Sequence, residues 1–384
     1  MGMNNFTQSK VRRRRQRAGA LAIALVVLLV GVTGYVWYQR DVAGVRDFEG
    51  TGNGTIVMVR VDPGDSVDSL ATELVDKGVV GSRRALMSQA EVTEPNLQAG
   101  YYTLQERMSA QAALEHLSSE EYRRGVVDIP NGLTLDDVTV VQGDTRKGIY
   151  TLISEQTCLD ENSCFSPEEL RAAVSETSNE DLGVPEWALQ PVDARGDDPK
   201  RIEGLISPGV HLFDPTSEPK EIIRTLLTTS KGEYEKTGLI SSAERVGLTP
   251  YELLTAASLV EREAPEGDFD KVARVILNRL EIGQKLEFDS TVNYSIDEVE
   301  VATTTADRQR ETPWNTYAKE GLPATPIASP GLQSLHAVEN PAEGDWLYFV
   351  TVDKDGRTVF NKEFADHEAA IAESIQNGVL DSNR

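Results

Sequence analysis

The feature that most restricts what this chain can form is a long uncharged apolar run near its N terminus. Residues 18–38 read AGALAIALVVLLVGVTGYVWY, 21 residues without a charged side chain. A helix of about 20 apolar residues spans the roughly 30 Å hydrocarbon core of a bilayer. Tyr35, Trp37 and Tyr38 stand at the far end of the run, as is typical of a membrane interface. We therefore expect residues 18–38 to form a transmembrane helix.

The residues that precede this run are strongly basic. Residues 1–17 contain one lysine and five arginines but no acidic residue. The positive-inside rule therefore places residues 1–17 in the cytoplasm and residues 39–384 on the other side of the membrane. A cleaved signal peptide is the alternative, but its apolar core is only about 7–15 residues long and is followed by a small-residue cleavage site. The sequence favours an uncleaved, single-pass anchor.

The remainder of the chain is acidic. Six of the 38 basic residues lie in the N-terminal tail, whereas all 62 acidic residues follow it. This acidic part of the chain repels the phosphate backbone of nucleic acids, and we therefore expect no nucleic-acid partner. The four histidines have no metal-ligand spacing, and the sequence contains no phosphate-binding loop and no G-x-S-x-G motif. We expect neither a metal nor a cofactor.

The chain has two cysteines, Cys158 and Cys164, separated by five residues. Outside the membrane, a disulfide that closes this short loop is one interpretation, and a pair of unlinked thiols is the other. A zinc site is not expected, because such sites need three or four protein ligands and no histidine flanks the pair.

Patterns of apolar residues and turns divide the extramembrane part of the chain. Residues 39–54 have no periodicity and predict a tether. A small α+β module follows over residues 55–121, with strands predicted near residues 55–61 and 97–104 and helical runs between and after them. Residues 122–384 predict a larger α+β domain.

One helix in the larger domain has unusually clear ends. The sequence Thr249-Pro250-Tyr251-Glu252 is a capping box with proline at the first helical position, and Pro265 ends the helix by about Ala264. Glu261 and Glu263 then lie in its last turn. They are about 200° apart around the helix, so their side chains do not face each other.

Glu263 borders the apolar stripe of this helix and lies at the negative end of the helix dipole. Both conditions raise the pKa of a carboxyl, as a general acid near neutral pH requires. The simpler interpretation is that Glu261 and Glu263 are both solvated residues at a helix end, with Arg262 between them. Periodicity alone favours that interpretation.

The segments after this helix are rich in polar and aromatic residues. Leu286–Tyr294, Pro313–Gly331 and Trp346–Val352 predict short strands and loops. Aromatic faces and amides suit a groove for sugar rings, although aromatic residues at such spacing also occur in cores.

Four segments together resemble a known family. AASLVEREA, VARVILNRLEIGQKLEFDSTVNY, WNTYAKEGLPATPIASPG and DWLYFV resemble the endolytic murein transglycosylases (YceG-like) over about residues 250–367. Weaker likeness, in VDPGDSVDSLATELVDKGVV, LQAGYYTL, DIPNGLTL and IEGLISPG, extends it over about residues 55–384. The chain departs from the family in places: it has Asp289-Ser290-Thr291 where the family often has Asp-Pro-Thr.

The resemblance implies a LysM-like module over residues 55–121 and a catalytic domain over residues 122–384. It implies cleavage of the β-1,4 bond between N-acetylmuramic acid and N-acetylglucosamine in nascent peptidoglycan strands, leaving 1,6-anhydro ends. Glu263 matches the catalytic glutamate of the family motif, acting first as acid and then as base on the substrate's own C6 hydroxyl, without a metal or cofactor. The implied groove residues are Asn278, Asp289, Thr291, Tyr294, Asn315, Thr316 and Tyr317.

The resemblance also implies a setting, the cell membrane of a bacterium, and partners, the peptidoglycan synthases of elongation or division. Two alternatives stay open. One is a non-catalytic wall-binding or scaffold protein that keeps the fold. The other is a hydrolase with a second carboxylate, Asp289 or Glu287, which releases reducing ends.

Overall fold

The computed structural model describes residues 27–35, 47–140, 144–159, 164–265, 267–296, 298–299 and 303–380. Most of the predicted transmembrane segment and all of the basic tail lie outside these residues. Residues 27–35 form a helix, α1, with exposed side chains. A search of the described residues finds no helix with the length and apolar character needed to cross a membrane. The chain divides after Arg123 into two compact units.

The N-terminal unit is a small α+β structure. Its sheet pairs β1 (Ile56–Val61) antiparallel with β2 (Gly100–Gln105), with Ile56 opposite Gln105. A two-residue strand, β3 (Arg123–Arg124), completes the sheet. The helices are α2 (Val67–Asp76), α3 (Arg83–Thr93) and α4 (Ala110–Leu117).

Local capping and apolar burial explain these elements. Ser66 forms a capping box with Ser69 at the start of α2. Leu74 of α2, Leu86 of α3 and Leu104 of β2 are fully buried in one core, so the helices and the sheet close over a common apolar centre.

The tether predicted over residues 39–54 is wrong for residues 47–54. Residues 36–46 lie outside the described part of the chain, but residues 47–54 are bound to the N-terminal unit. The Asp47 carboxylate accepts a hydrogen bond from the Ala110 backbone N–H at 3.0 Å, and Thr51 forms a β-bridge with Met108. Residues 47–54 therefore belong to the folded unit, because their backbone groups find partners there.

The C-terminal unit combines three small sheets with many helices. Strand β4 (Val126–Ile129) pairs antiparallel with β7 (Gly209–Leu212). Strand β5 (Val138–Val140) lies between β6 (Thr145–Arg146) and β8 (Glu298–Val299), and β9 (Tyr348–Thr351) pairs with β10 (Thr358–Asn361). The helices are α5 (Ile149–Thr157), α6 (Pro167–Glu176), α7 (Leu189–Asp193), α8 (Pro219–Lys236), α9 (Leu239–Val246), α10 (Pro250–Glu263), α11 (Phe269–Glu281), α12 (Asp289–Ile296), α13 (Thr305–Arg308), α14 (Leu332–Glu339) and α15 (Phe364–Gln376).

Helix α10 is the central helix of this unit. The predicted capping box is present: the Thr249 hydroxyl accepts from the Glu252 N–H at 3.2 Å and the Glu252 carboxylate accepts from the Thr249 N–H at 2.7 Å. Every residue from Leu253 to Val260 is buried. The helix packs against α9, α11, α12 and α14 and ends at Glu263, so the surrounding core fixes where that carboxyl lies.

One local prediction is wrong. The segment Leu286–Tyr294 was expected to be strand-like, but from Asp289 onward it is helix α12. Its β-branched residues Thr291 and Val292 favour strands locally. Both are buried here, and the Thr291 hydroxyl donates to the Phe288 carbonyl at 2.7 Å. Packing against α10 therefore outweighs the local preference.

The cap of α10 gives a test of stability. Thr249→Ala removes the oxygen that accepts the Glu252 N–H and should lower the free energy of unfolding by about 1 kcal/mol. Urea denaturation monitored by circular dichroism would measure it. Thr225→Ala, in the exposed interior of α8, is the control and should change stability by less than about 0.5 kcal/mol; equal losses in the two variants would refute the capping role.

Candidate functional site

Glu263 lies where two helices meet. It is the last residue of α10, and its side chain is half-buried. The backbone N–H of Ser290, in the first turn of α12, donates a hydrogen bond to Glu263 Oε1 at 3.3 Å. The carboxyl therefore lies between the C terminus of α10 and the N terminus of α12.

The surroundings of Glu263 favour its protonated form. Burial raises its pKa above the ordinary value for a glutamate, and the negative charge of Asp289 acts in the same direction. Hydrogen bonding from Ser290 and the positive charge of Arg262 act in the opposite direction but do not cancel the increase. The group is suited to donate a proton and, once ionised, to be stabilised by the Ser290 N–H.

The negative charge of Asp289 acts on Glu263, but the pKa of Asp289 itself is shifted in the opposite direction. It accepts hydrogen bonds from the hydroxyls of Thr303 (2.6 Å) and Tyr317 (2.8 Å), and Arg308 Nη2 donates to its Oδ2 at 3.1 Å. Burial alone raises the pKa of Asp289, but these three donors lower it below its ordinary value. The pair thus consists of a carboxyl whose pKa is raised, that of Glu263, and a carboxyl whose pKa is lowered, that of Asp289.

Glu261 has a different environment. Its Oε2 accepts hydrogen bonds from the Gly331 backbone N–H at 3.0 Å and from the Ser334 hydroxyl. Both donors lie at the start of α14, so Glu261 fastens that helix terminus to the end of α10. The two glutamates point to separate partners, in agreement with their spacing on the helix.

Three of the groove residues expected from the sequence are fully buried: Thr291, Asn315 and Thr316. The Thr316 hydroxyl accepts from the Phe288 N–H at 3.0 Å and lies 2.9 Å from the Thr291 hydroxyl. The Asn315 Oδ1 accepts from the Tyr317 N–H at 2.9 Å. These side chains hold the segments that carry Asp289 and Tyr317, rather than lining an open surface.

The other four expected residues separate into two groups. Asp289 and Tyr317 interact electrostatically with Glu263. Asn278 and Tyr294 bind elsewhere: the Asn278 amide donates to the Trp346 carbonyl at 2.9 Å, and the Tyr294 hydroxyl donates to Glu203 at 3.0 Å. Of the seven expected residues, Asp289 and Tyr317 are thus the two with an electrostatic effect that connects them to the candidate acid.

Sequence reasoning missed four residues of this region. Ser290 supplies the N–H to Glu263, and Thr303 and Arg308 hold Asp289. The only sequence signal for Ser290 was its position next to Asp289. No motif or residue spacing in the sequence indicated Thr303 or Arg308. The fourth, Glu203, lies in the IEGLISPG segment that carried the weaker resemblance.

Glu203 is a buried carboxyl, with 1% of its side chain exposed. The Leu135 backbone N–H lies 3.2 Å from each of its oxygens, and Tyr294 donates to Oε2. Burial raises the pKa of Glu203 to about 8. It joins the segment after the Asn131-Gly132 turn to α12 and therefore supports the site without facing Glu263.

The two cysteines are paired, and the described residues hold no group of metal ligands. Cys158 and Cys164 are linked by a disulfide with an S–S distance of 2.04 Å. Across the described ranges there is no cluster of three or more His, Cys, Asp or Glu side chains that could hold a metal ion.

Comparison with known proteins gives a family. The model of the YceG-like family matches residues 59–373, which cover parts of both units and the region around Glu263. The chain belongs to the YceG-like family.

Curated relatives of this YceG-like chain carry one name. The protein named endolytic murein transglycosylase in Bacillus subtilis (strain 168) is 26% identical over 331 residues, 84% of this chain and 86% of the relative. The protein of the same name in Streptococcus pneumoniae (strain D39) is 24% identical over 371 residues, 94% of this chain and 66% of the relative. The latter is thus considerably longer than this chain.

A solved structure supports the fold. The crystal structure of a YceG-like protein from Listeria monocytogenes superposes with a TM-score of 0.51. The match covers 83% of this chain and 99% of the other, with 24% sequence identity.

Glu203 gives a pH-dependent prediction for this YceG-like chain. Its pKa is raised from the ordinary 4.5 to about 8 on folding, so the folded chain binds the extra proton. The associated stability is fully present below about pH 4.5 and is lost as the pH rises through 8. In the wild type, ionisation of Glu203 should lower the free energy of unfolding by on the order of 4 kcal/mol between pH 5 and 8. Glu203→Gln cannot ionise but can still accept and donate hydrogen bonds, so it should remove most of this loss.

Denaturant unfolding of both proteins at several pH values would measure this slope. Glu244→Gln, at an exposed position on α9, is the control and should keep the wild-type slope. A Glu203→Gln variant that loses as much stability as the wild type over this range would contradict the assignment.

Proposed function

We propose that this chain is an endolytic murein transglycosylase and that Glu263 is its single catalytic acid and base. The observation that carries the proposal is the environment of Glu263: a half-buried carboxyl of raised pKa, with one backbone donor, at the end of the helix that bears the family motif. The names of the curated relatives support the reaction class.

The proposed reaction consumes no water. Protonated Glu263 gives its proton to the glycosidic oxygen as the bond from the anomeric carbon of N-acetylmuramic acid to that oxygen breaks. The C6 hydroxyl oxygen of the same sugar forms a new bond to the anomeric carbon, and its proton passes to the Glu263 carboxylate. The products are a 1,6-anhydro end and a free 4-hydroxyl, and the enzyme regains its starting protonation. An intramolecular nucleophile has a large effective molarity, so no activated water is needed.

Neighbouring residues support the two roles of Glu263. The negative charge of Asp289 helps to keep Glu263 protonated before the reaction. The Ser290 N–H stabilises the carboxylate that forms after proton donation. Arg308 and Tyr317 keep Asp289 ionised and fixed in position.

Hydrolysis with Asp289 as a second catalytic carboxylate is the competing reaction. The proximity of Asp289 to Glu263 is the observation that favours it. However, Thr303 and Tyr317 donate to Oδ1 of Asp289 and Arg308 donates to Oδ2. A carboxylate with both oxygens engaged is poorly prepared to activate water or to attack a sugar.

The setting of the enzyme belongs to the same proposal. Residues 18–38 anchor the chain in a bacterial cell membrane as a single span, with residues 1–17 in the cytoplasm, as the apolar run and the arginine cluster indicate. The N-terminal unit acts as a LysM-like glycan-binding module. Its partners are nascent strands and the synthases that make them, and cleavage trims or terminates those strands.

Substitution of Glu263 tests the reaction and the residue together. The full-length chain in detergent would be incubated with nascent, uncrosslinked strands, and the product ends read by mass spectrometry. Glu263→Gln should lower the rate at least about a thousandfold, because no proton donor remains. Glu261→Gln is the matched control: its amide oxygen can still accept from Gly331 and Ser334, so most activity should be retained.

The products distinguish the alternatives. Anhydro ends from the wild type and none from Glu263→Gln support the proposal. Reducing ends would favour the hydrolase. No cleavage by the wild type, on strands that an established transglycosylase digests, would favour a scaffold protein.

The pH profile tests the electrostatics of the pair. Activity should fall as the pH rises through the raised pKa of Glu263, because the acid must be protonated. Asp289→Asn removes a charge that raises this pKa and should move the basic limb to lower pH by roughly one pH unit. Asp270→Asn, at an exposed position on α11, should leave the limb in place; an unmoved limb in Asp289→Asn would show that the charges are not coupled.

A further inference from the structure

Two arginines from different elements converge on one backbone oxygen next to the candidate acid. Arg146 Nη2, from β6, donates to the Gly132 carbonyl at 3.3 Å, and Arg262 Nη1, from α10, donates to the same oxygen at 3.5 Å. Gly132 is itself held in place, because its N–H donates to the Ser329 carbonyl at 2.8 Å. The two guanidinium groups are therefore close together at a fixed position.

The charges of the pair lie near the carboxyl groups of Glu261 and Glu263 but form no salt bridge with them among the described residues. Within the described ranges neither Arg146 nor Arg262 forms a salt bridge, whereas Arg171 and Arg308 in the same unit do. Burial lowers the pKa of Arg146, and the positive charge of Arg262 lowers it further. Two like charges held together with no salt bridge to an acidic side chain of the described residues cost electrostatic energy, in a chain whose net charge is −24.

The pair also has unused hydrogen-bond donors. Each guanidinium has five N–H groups, and the bond to Gly132 is long in both cases. The Nε of Arg146 is buried and has no hydrogen-bond partner among the described residues. Such a pair is suited to bind an oxyanion, because guanidinium N–H groups match the geometry of carboxylates and phosphates.

The position of the pair relates it to the substrate. Arg262 directly precedes Glu263 and is close enough to affect the pKa of that residue. An anion bound by the pair therefore lies beside the bond that Glu263 is proposed to cleave. Murein strands carry short peptides with free carboxylates at their muramic acid residues, so an endolytic enzyme meets such a carboxylate at every repeat. The pyrophosphate of a lipid-linked strand occurs only at one end.

We propose that Arg146 and Arg262 form a subsite for a carboxylate of the peptide carried by the strand. This inference rests on the proposed murein transglycosylase function and deepens it, since it identifies which feature of the strand the enzyme recognises beside its sugars.

The test compares two substrates and four proteins, each as the full chain in detergent. The substrates are peptide-bearing strands and strands from which an amidase has removed the peptides, each prepared with and without the terminal lipid pyrophosphate. The proteins are the wild type, Arg146→Gln, Arg146→Lys and Arg224→Gln, the last removing an exposed charge on α8 as the matched control. Arg146 is chosen for substitution because it is not the neighbour of Glu263 in sequence.

On peptide-bearing strands, Arg146→Gln should raise KM about tenfold, the effect of losing one charge-assisted hydrogen bond, with kcat changed by less than about threefold. Arg146→Lys should recover part of the loss, and Arg224→Gln should match the wild type. On stripped strands, Arg146→Gln and the wild type should have the same kcat/KM. A structural role for Arg146 would instead lower activity equally on both substrates.

Three results would overturn the inference. They are an unchanged KM in Arg146→Gln on peptide-bearing strands, an equal loss on stripped strands, and a loss confined to strands that retain the lipid pyrophosphate. The last would assign the pair to phosphate. If the wild type cleaves neither substrate, the proposed function itself fails, a result distinct from these three. If Arg146→Gln does not fold, as judged by its thermal unfolding, the KM of Arg146→Lys on the two substrates decides.

Discussion

The burial of helix α10 is the constraint on which the site depends. All residues from Leu253 to Val260 are enclosed by neighbouring helices, and close-packed interiors resist displacement. The helix therefore cannot slide or rotate without opening the core. Its last residue, Glu263, therefore lies at a fixed position next to the start of α12. The proposed role of Glu263, acting alone first as acid and then as base, benefits from such fixed placement.

The surroundings of the site shift the pKa values of its two carboxyl groups in opposite directions. Burial and the neighbouring negative charge raise the pKa of Glu263, whereas three hydrogen-bond donors lower the pKa of Asp289. Opposite pKa changes in adjacent groups are the usual way for one site to contain both an acid and an anion. The arginine pair formed by Arg146 and Arg262 adds positive charge near Glu263, and neither arginine forms a salt bridge among the described residues.

Local sequence signals predicted those elements whose ends are marked by capping residues or proline. Helix α10 was predicted at nearly its observed bounds because its cap and Pro265 act within a few residues. Helix α12 was mistaken for strand, since β-branched residues favour strands until packing decides otherwise. Residues 47–54 were assigned to the tether although they belong to the N-terminal unit, because the partner of Asp47 lies more than 60 residues away. Several groove residues were expected at the surface, yet Thr291 and Thr316 are buried against each other.

The sequence by itself determined the mixed α+β class, the helix that carries Glu263, and the family, because these depend on periodicity, capping and motif order along the chain. Tertiary structure decided which groups surround Glu263. Ser290, Asp289 and the Gly132 turn come from distant segments, and Arg146 approaches Arg262 across more than 100 residues of sequence. Charge and desolvation act through space rather than along the chain, so only the folded molecule shows which carboxyl has a raised pKa and which two arginines lie close together.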